Sequence, residues 1–314
     1  MNERDYVYEV YKEKSFSIAA KNLYLSQPAL SASVKKVEKE LGITIFDRST
    51  SPITLTEEGK VYIEAVEKLK SIIDETKVKL SDMNELKSGT IRVSGENFVS
   101  SFIMPKIIMA FTEKYPGIKV ELIESNAPDL RQLLLTDSVD LLIAHDFDKN
   151  LFTNESIFEE TLLLAVPENF EENEMYKAYA LSRNDIINGK HLEESCPKVN
   201  LSVFKDSPFI LLKKGNDTRR RANLIFSESG VEPTNVKIYL DQLITSYNMV
   251  CFGLGVAIVN DVLVKNSSQT GCKYYKISGR SAHRTMSIGY KKNKYCSKVM
   301  KAFIDVAKEV YKSN

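Results

Sequence analysis

Ser26-Gln27-Pro28-Ala29-Leu30-Ser31-Ala32-Ser33-Val34-Lys35-Lys36-Val37-Glu38-Lys39-Glu40-Leu41 gathers hydroxyls, an amide and ammonium groups into one short stretch. Amide and hydroxyl side chains can hydrogen-bond base edges, and ammonium groups meet phosphates. Ser26 suits a helix N-cap, and Pro28 falls in the first turn, where its missing N–H costs little. Leu30, Val34, Val37 and Leu41 recur at spacings of 4, 3 and 4, one face of an α-helix. Pro28, Ala32, Lys35 and Lys39 lie opposite that stripe, flanked by Ser31 and Lys36. One face can dock on a core, and the other is small, hydroxylated and basic, as insertion into a DNA major groove requires. Taken alone, the pattern fits an ordinary amphipathic surface helix equally well.

A second set of polar groups lies further along. In an α/β sheet, ligands bind beyond the carboxyl ends of the strands, at helix N-termini. That rule singles out Ser100 and Ser101 after one expected strand, Ser125 and Asn126 after the next, and His145 with Asp146 after a third. Pro208-Phe209 and Gly255 mark a similar position in a later half. Hydroxyls at a positive helix end suit a carboxylate or other small organic anion. Plain helix capping by Ser100 and Ser101 is the alternative, and His145 fits a structural hydrogen-bonder equally well.

The elements that must position the first set follow from periodicity. Residues 3–13 read as a helix with Tyr6, Val7, Val10 and Tyr11 inward. Ser17 can cap a second helix, Ile18 to Leu23, and only Tyr24-Leu25 separates it from Ser26. Two short helices so joined make a helix-turn-helix. Gly42 stops the third helix. Ile43–Phe46, a turn at Asp47–Pro52 and Ile53–Leu55 read as a β-hairpin wing, with Arg48 near its tip placed for a phosphate or the minor groove. An ion pair of Arg48 with Asp47 or Glu57 is the alternative.

These blocks resemble the LysR-type transcriptional regulators. The resemblance rests on Ser15-Phe16-Ser17-x-Ala19-Ala20, Leu23-x-Leu25-Ser26-Gln27-Pro28-Ala29-Leu30-Ser31, Glu38-x-Glu40-Leu41-Gly42, Ile45-Phe46-Asp47-Arg48 and Leu55-Thr56-x-x-Gly59, in register over residues 2–60. It implies that Gln27, Ser31 and the position after it lie at the DNA; together with the helix and wing residues read above, the expected DNA-contacting set is Ser26, Gln27, Pro28, Ser31, Ser33, Lys35, Lys36 and Arg48. Many members carry Arg where this chain has Ala32, so bidentate Arg readout is missing there. Gln27, Ser33 and Lys35 are then expected to do more of the reading, or DNA shape is.

After Thr56, a helix cap followed by Glu57 and Glu58, the positions Tyr62, Val66, Leu69, Ile73, Thr76, Leu80 and Met83 repeat at 4, 3, 4, 3, 4, 3. Such a seam is expected to pair with a second copy, placing two recognition helices about 34 Å apart on DNA. Packing on the C-terminal domain is the alternative. Lys87-Ser88-Gly89 closes the helix as a hinge. From Thr90 strands alternate with helices, arguing for a mostly parallel sheet covered by helices. Element order, Pro116-Gly117, Asp140-Leu141 and Gly253-Leu254-Gly255 again resemble the LysR family, more loosely. The polar connection 168–207 is expected to be an inserted lid or surface subdomain.

The expected fold class is α/β: an N-terminal winged helix-turn-helix (1–58), a linker and dimerisation helix (59–88) and a two-lobed periplasmic-binding-protein-like effector domain (89–314). Lobe I takes about 89–163 and 266–314, and lobe II about 164–265.

Composition constrains the rest. No apolar run reaches the roughly 18 residues of a bilayer span, and the charged N-terminus is not a signal peptide, so a cytoplasmic protein is expected. Residues 1–88 hold 14 Lys+Arg against 15 Asp+Glu, so any affinity for DNA must come from local charge placement. Cys196, Cys251, Cys272 and Cys296 show no CxxC spacing, which argues for reduced, mostly buried thiols and against a metal site. There is no GxGxxG, P-loop, nucleophile elbow or HExxH, so no cofactor and no enzyme activity are expected. Arg219-Arg220-Arg221 reads as solvated surface. The favoured reading is a regulator binding double-stranded promoter DNA as a homodimer or homotetramer, controlled by a small-molecule effector, and meeting RNA polymerase if it activates. The competing classes are an α/β enzyme and a solute-binding module for a small anionic metabolite.

Overall fold

Helix caps and apolar periodicity set the first unit. The computed structural model describes residues 2–81, 88–124 and 127–312. The chain divides into two compact units, Met1–Leu80 and Ser81–Asn314. In the first, α1 (Glu3–Glu13), α2 (Phe16–Asn22) and α3 (Gln27–Leu41) are followed by a hairpin of β1 (Phe46–Asp47) and β2 (Thr54–Leu55), then by α4 (Glu57–Ser81). Ser26 caps α3 by accepting the Ala29 N–H at 3.3 Å, and Gly42 ends it at φ 67, a left-handed value that glycine adopts without strain. Ser15, not Ser17, caps α2. The helix therefore starts earlier than expected and takes in Phe16, which packs edge-on to Phe46 at 5.8 Å. Val7, Val10, Phe16, Ala19, Leu30, Val34, Val37, Ile45 and Phe46 close one core, each large side chain contributing about 1.5–3 kcal/mol. Leu41, expected in the buried stripe, is 51% exposed because α3 runs past the core at its end.

α4 divides along its length. Ile63 joins the module's core and Val66 is 3% exposed, while Tyr62 is half-buried against that core. Beyond them Leu69, Ile72, Ile73 and Leu80 are 42–60% exposed. The expected seam is thus corrected at its start: Tyr62 packs on its own module's core, Val66 is buried, and the uncovered apolar stripe begins at Leu69. Met83 lies outside the described residues.

The second unit is built on two sheets sharing one long strand. β3 (Gly89–Gly95), β4 (Ile118–Glu124) and β5 (Leu141–Ala144) are parallel, with α5 (Asn97–Phe102), α6 (Met104–Lys114) and α7 (Ala127–Leu135) between them. β6 (Phe152–Pro167) runs 16 residues. Its first part pairs with β11 (His283–Lys291), and its second lies between β9 (Ala257–Asn260) and β10 (Cys272–Lys276). β7 (Phe209–Leu212) and β8 (Val236–Leu240) are parallel and join β9 through the Phe209–Val256 bridge. Two lobes result, crossed by β6 outward and by the segment before β11 on return. β10 pairs with residues 163–167 of β6, so it belongs to the second lobe and not, as expected, to the first.

The 168–207 connection is not a lid. Its short helices α8 (Glu172–Met175) and α9 (Arg183–Ile187) and several 3-10 turns lie along β10, through bridges Leu181–Tyr274 and Val199–Ile277. Tyr275 donates its hydroxyl to Asn173 at 2.8 Å, and Leu201 and Phe204 enter the lobe's core. α10 (Asp217–Glu228), α11 (Leu243–Cys251) and α12 (Asp261–Asn266) cover the second lobe, and α13 (Lys298–Lys312) packs on α6 and β6. Among the described residues, no helix is long and apolar enough to cross a membrane.

Candidate nucleic-acid interface and ligand cleft

The outer face of α3 presents Ser26, Gln27, Pro28, Ala29, Ala32, Lys35 and Lys39 to solvent, opposite buried Leu30, Val34 and Val37. Gln27 is held from behind: the Ser17 hydroxyl donates to its Oε1 at 3.3 Å, leaving the amide NH2 free to donate. Ser33 is half-buried and returns its hydroxyl to the Ala29 carbonyl at 3.1 Å, so it faces its own helix. Lys36 is drawn toward α1, its Nζ 2.7 Å from Glu3.

Arg48 does not make the expected ion pair with Asp47 or Glu57. Its guanidinium donates to Ser31 Oγ at 3.2 Å and to Glu38 Oε2 at 3.1 Å, and lies 4.8 Å from the Phe16 ring centroid. Glu38 also accepts the N–H groups of Ile45 and Phe46. One carboxylate therefore ties the recognition helix to the wing, and Arg48 aligns the two. Tyr24, which sequence reasoning passed over, stands in the turn before α3 at φ 55 and 96% exposed. Its only sequence signal is its place between two helices.

In the second unit, a narrow cleft opens between the lobes, with a cavity of about 40 Å³. Lobe I supplies Glu96 before α5, His145 after β5 and Arg284 on β11. Lobe II supplies Asn216 and Thr218 at the start of α10, and Asp241 and Gln242 at the start of α11. Asn216 caps α10 by accepting from Thr218 N–H at 2.8 Å.

An ionic latch crosses the cleft. Arg284, on lobe I and 2% exposed at its side chain, pairs with fully buried Glu160 and donates to Asp217 of lobe II at 2.8 Å. His145 Nε2 lies 3.1 Å from Glu160, off the line of a good hydrogen bond, and its Nδ1 lies 3.5 Å from Asp217. Asp146 meets Arg220 and Arg221 of α10, and Arg131 donates to the carbonyls of His145 and Asp146. The Arg219–Arg221 run is thus partly an inter-lobe contact rather than solvated surface. Burial pushes Asp217 and Glu160 up, but Arg284 and His145 outweigh it and hold both carboxyls below the ordinary value. Glu96 goes the other way. Burial and the nearby Asp217 raise its carboxyl, for which there is no side-chain hydrogen bond or ion pair among the described residues.

Of the ligand residues expected from sequence, His145 alone among those described lines this cleft. Ser100 and Ser101 sit inside α5 because that helix starts directly after β3; Ser100 donates to the Gly95 carbonyl. Phe209 is fully buried in the core. The Pro208 carbonyl accepts the Val256 N–H, and a Cβ on Gly255 would lie 2.3 Å from that oxygen, so Gly255 serves strand packing. Ser125 and Asn126 lie outside the described residues. With Glu96 and Asp241 lining the cleft and Arg284 already neutralised, its charge balance does not match a simple anion.

Two family models match this chain: residues 1–60 fit the bacterial regulatory helix-turn-helix protein, lysR family, and residues 84–312 fit the LysR substrate binding domain. The chain belongs to the LysR family. It is a LysR-type transcriptional regulator with a substrate-binding domain. It is similar to an uncharacterized HTH-type transcriptional regulator, YcgK, of Bacillus subtilis, 29% identical over 98% of this chain and 94% of the relative. A probable RuBisCO transcriptional regulator of Guillardia theta is 27% identical over 94% of this chain and 90% of that protein. Full-length OxyR from Pseudomonas aeruginosa shares the fold at a TM-score of 0.68 and 20% identity, over 99% and 95% of the two chains. Full-length CbnR complexed with its target DNA does so at 0.62 and 18%, over 98% of each. The LysR signature of this chain thus spans both of its compact units.

Proposed function

We propose that this LysR-type regulator reads a promoter through the exposed face of α3, with Gln27 as the base-reading side chain and Lys35 and Lys39 toward phosphates. Ser26 and Pro28 set the helix entry, and Arg48 with Ser31 orients the wing. Ser33 and Lys36 act within the module. Two copies, or four, associate through the uncovered stripe of α4 from Leu69 to Leu80. A small polar effector enters the cleft between the lobes and changes their angle, the arrangement of subunits and the bend of the DNA. The protein works in the cytoplasm, and meets RNA polymerase where it activates.

The observation that carries the effector reading is the latch joining Asp217 of lobe II to Arg284 and His145 of lobe I beside the cleft. A cavity of about 40 Å³ holds water rather than a metabolite, whose sites need about 300–1,000 Å³. Binding therefore requires the lobes to part. An effector acts through its higher affinity for the parted state. Glu96, half-buried in the cleft wall and with no side-chain hydrogen bond or ion pair among the described residues, is the group that meets a hydrogen-bond donor or cation on the effector. Thermal-shift screening of a metabolite panel tests this. A ligand that stabilises the wild type and not Glu96→Ala supports it; ligands that stabilise both equally contradict it.

A further inference from the structure

Two of the four thiols meet in the second lobe. Cys251 ends α11, Cys272 begins β10, and the Cys272 S–H donates to Cys251 Sγ at 3.1 Å. The backbone is shaped for the approach. Gly271 has φ +93, and a Cβ there would lie 2.8 Å from the Cys251 carbonyl oxygen. One helical turn back, Tyr247 and Tyr274 share a hydroxyl–hydroxyl hydrogen bond of 2.6 Å, so α11 and β10 are already tied beside the sulfurs. A disulfide needs a sulfur separation of about 2.05 Å, so closure asks for about one ångström of further approach.

We propose that Cys251 and Cys272 form an oxidisable dithiol, closed to an intramolecular disulfide by a hydroperoxide. Cys251 is half-buried and Cys272 is 8% exposed, which makes Cys251 the sulfur the oxidant reaches. The hydrogen bond from Cys272 holds the Cys251 thiol below its ordinary value, and the same contact with burial pushes Cys272 up. Cys251 is therefore the attacking thiolate and Cys272 the resolving thiol.

The Cys251 sulfur attacks one peroxide oxygen, and the O–O bond breaks. The proton lost from Cys251 leaves with the departing oxygen, as water when the oxidant is hydrogen peroxide. Cys251 is then a sulfenic acid. The Cys272 sulfur attacks it, the S–O bond breaks, and hydroxide leaves with the Cys272 proton as a second water. The two sulfurs lose two electrons, and the peroxide gains them. The new bond fixes the C-terminal end of α11, the helix whose other end lines the inter-lobe cleft.

The test uses the full reduced chain and stoichiometric hydrogen peroxide, followed by non-reducing tryptic mapping; trypsin cuts at Lys265, between the two cysteines. The expected result is loss of two free thiols, a linked Cys251–Cys272 peptide pair within one chain, and reversal by dithiothreitol. Cys196 and Cys296 stay as thiols. In Cys272→Ser, dimedone labels Cys251; if that variant does not fold, the time course of wild-type labelling supplies the same reading. The proposal is overturned if Cys251 is over-oxidised without cross-linking, if the link joins two chains, or if Cys296 reacts while Cys251 and Cys272 remain thiols.

Discussion

At the residue scale, we propose that Gln27 reads the bases and that Arg284 holds the two lobes together. Gln27 offers an amide from the exposed end of α3, backed by Ser17. Gln27→Ala should lower discrimination between operator and random DNA by about 1–3 kcal/mol, with little change on random DNA. Competition binding checks this, and equal losses on both would contradict base readout. Arg284 bridges Glu160 and Asp217 while almost fully buried. Arg284→Met leaves two carboxylates facing each other without their cation, and should cost about 3–5 kcal/mol in denaturant unfolding of the second unit. The same latch sets an acid limit. Asp217 and Glu160 have folded-state values below their unfolded ones, so their contribution is full above about pH 4 and fades as pH falls through the lower folded values. Stability measured from pH 6 to pH 2 should fall in that window, and less steeply in Asp217→Asn. An equal fall in both proteins would place the acid sensitivity elsewhere.

At the element scale, α4 is buried near its start and exposes an apolar stripe from Leu69 onward. Val66 is buried, and Ile73 is 46% exposed on the uncovered stripe. Val66→Lys should therefore lower the melting temperature of the first unit, because a charge would be buried unpaired. Ile73→Lys should leave that temperature nearly unchanged and reduce the oligomer mass seen by light scattering. The opposite pattern would overturn the division. A heptad pattern could not have drawn this line, since it marks an apolar face without saying which part the chain itself covers. Other elements were legible for local reasons. Ser26, Pro28 and the 4-3-4 apolar spacing specify α3 from nearby residues alone. The partnership of Arg48 with Glu38 was not legible, because it depends on how the hairpin folds back on the helix. Ser100 and Ser101 were misplaced because α5 starts directly after β3, with no loop to move them to a helix start. Applied to the observed strands, the rule that ligands sit beyond strand ends points to Asn216, Thr218, Asp241 and Gln242, which line the cleft, follow β7 and β8, and were passed over in favour of Pro208 and Phe209, at the other end of β7.

At the scale of the whole molecule, the account is a DNA-reading unit and a ligand-sensing unit in one regulator. In the proposed reading the inter-lobe ion pairs hold the sensing unit shut, so a true effector has to bind the parted state more tightly than the closed one. At a hundred times its dissociation constant it would stabilise the protein by about 2.7 kcal/mol. The reading unit has no excess of basic residues, so the proposal assigns its affinity to a few placed cations and to pairing through α4. The most direct test is fluorescence anisotropy of the full chain on the DNA upstream of its own gene, against random DNA of equal length, across a salt series. The account predicts selective binding that weakens with salt, with log affinity falling by about 0.9 per phosphate contact per decade, and weaker binding by Ile73→Lys. Equal affinity for both DNAs at every salt concentration, in the presence and absence of every stabilising metabolite, would contradict it.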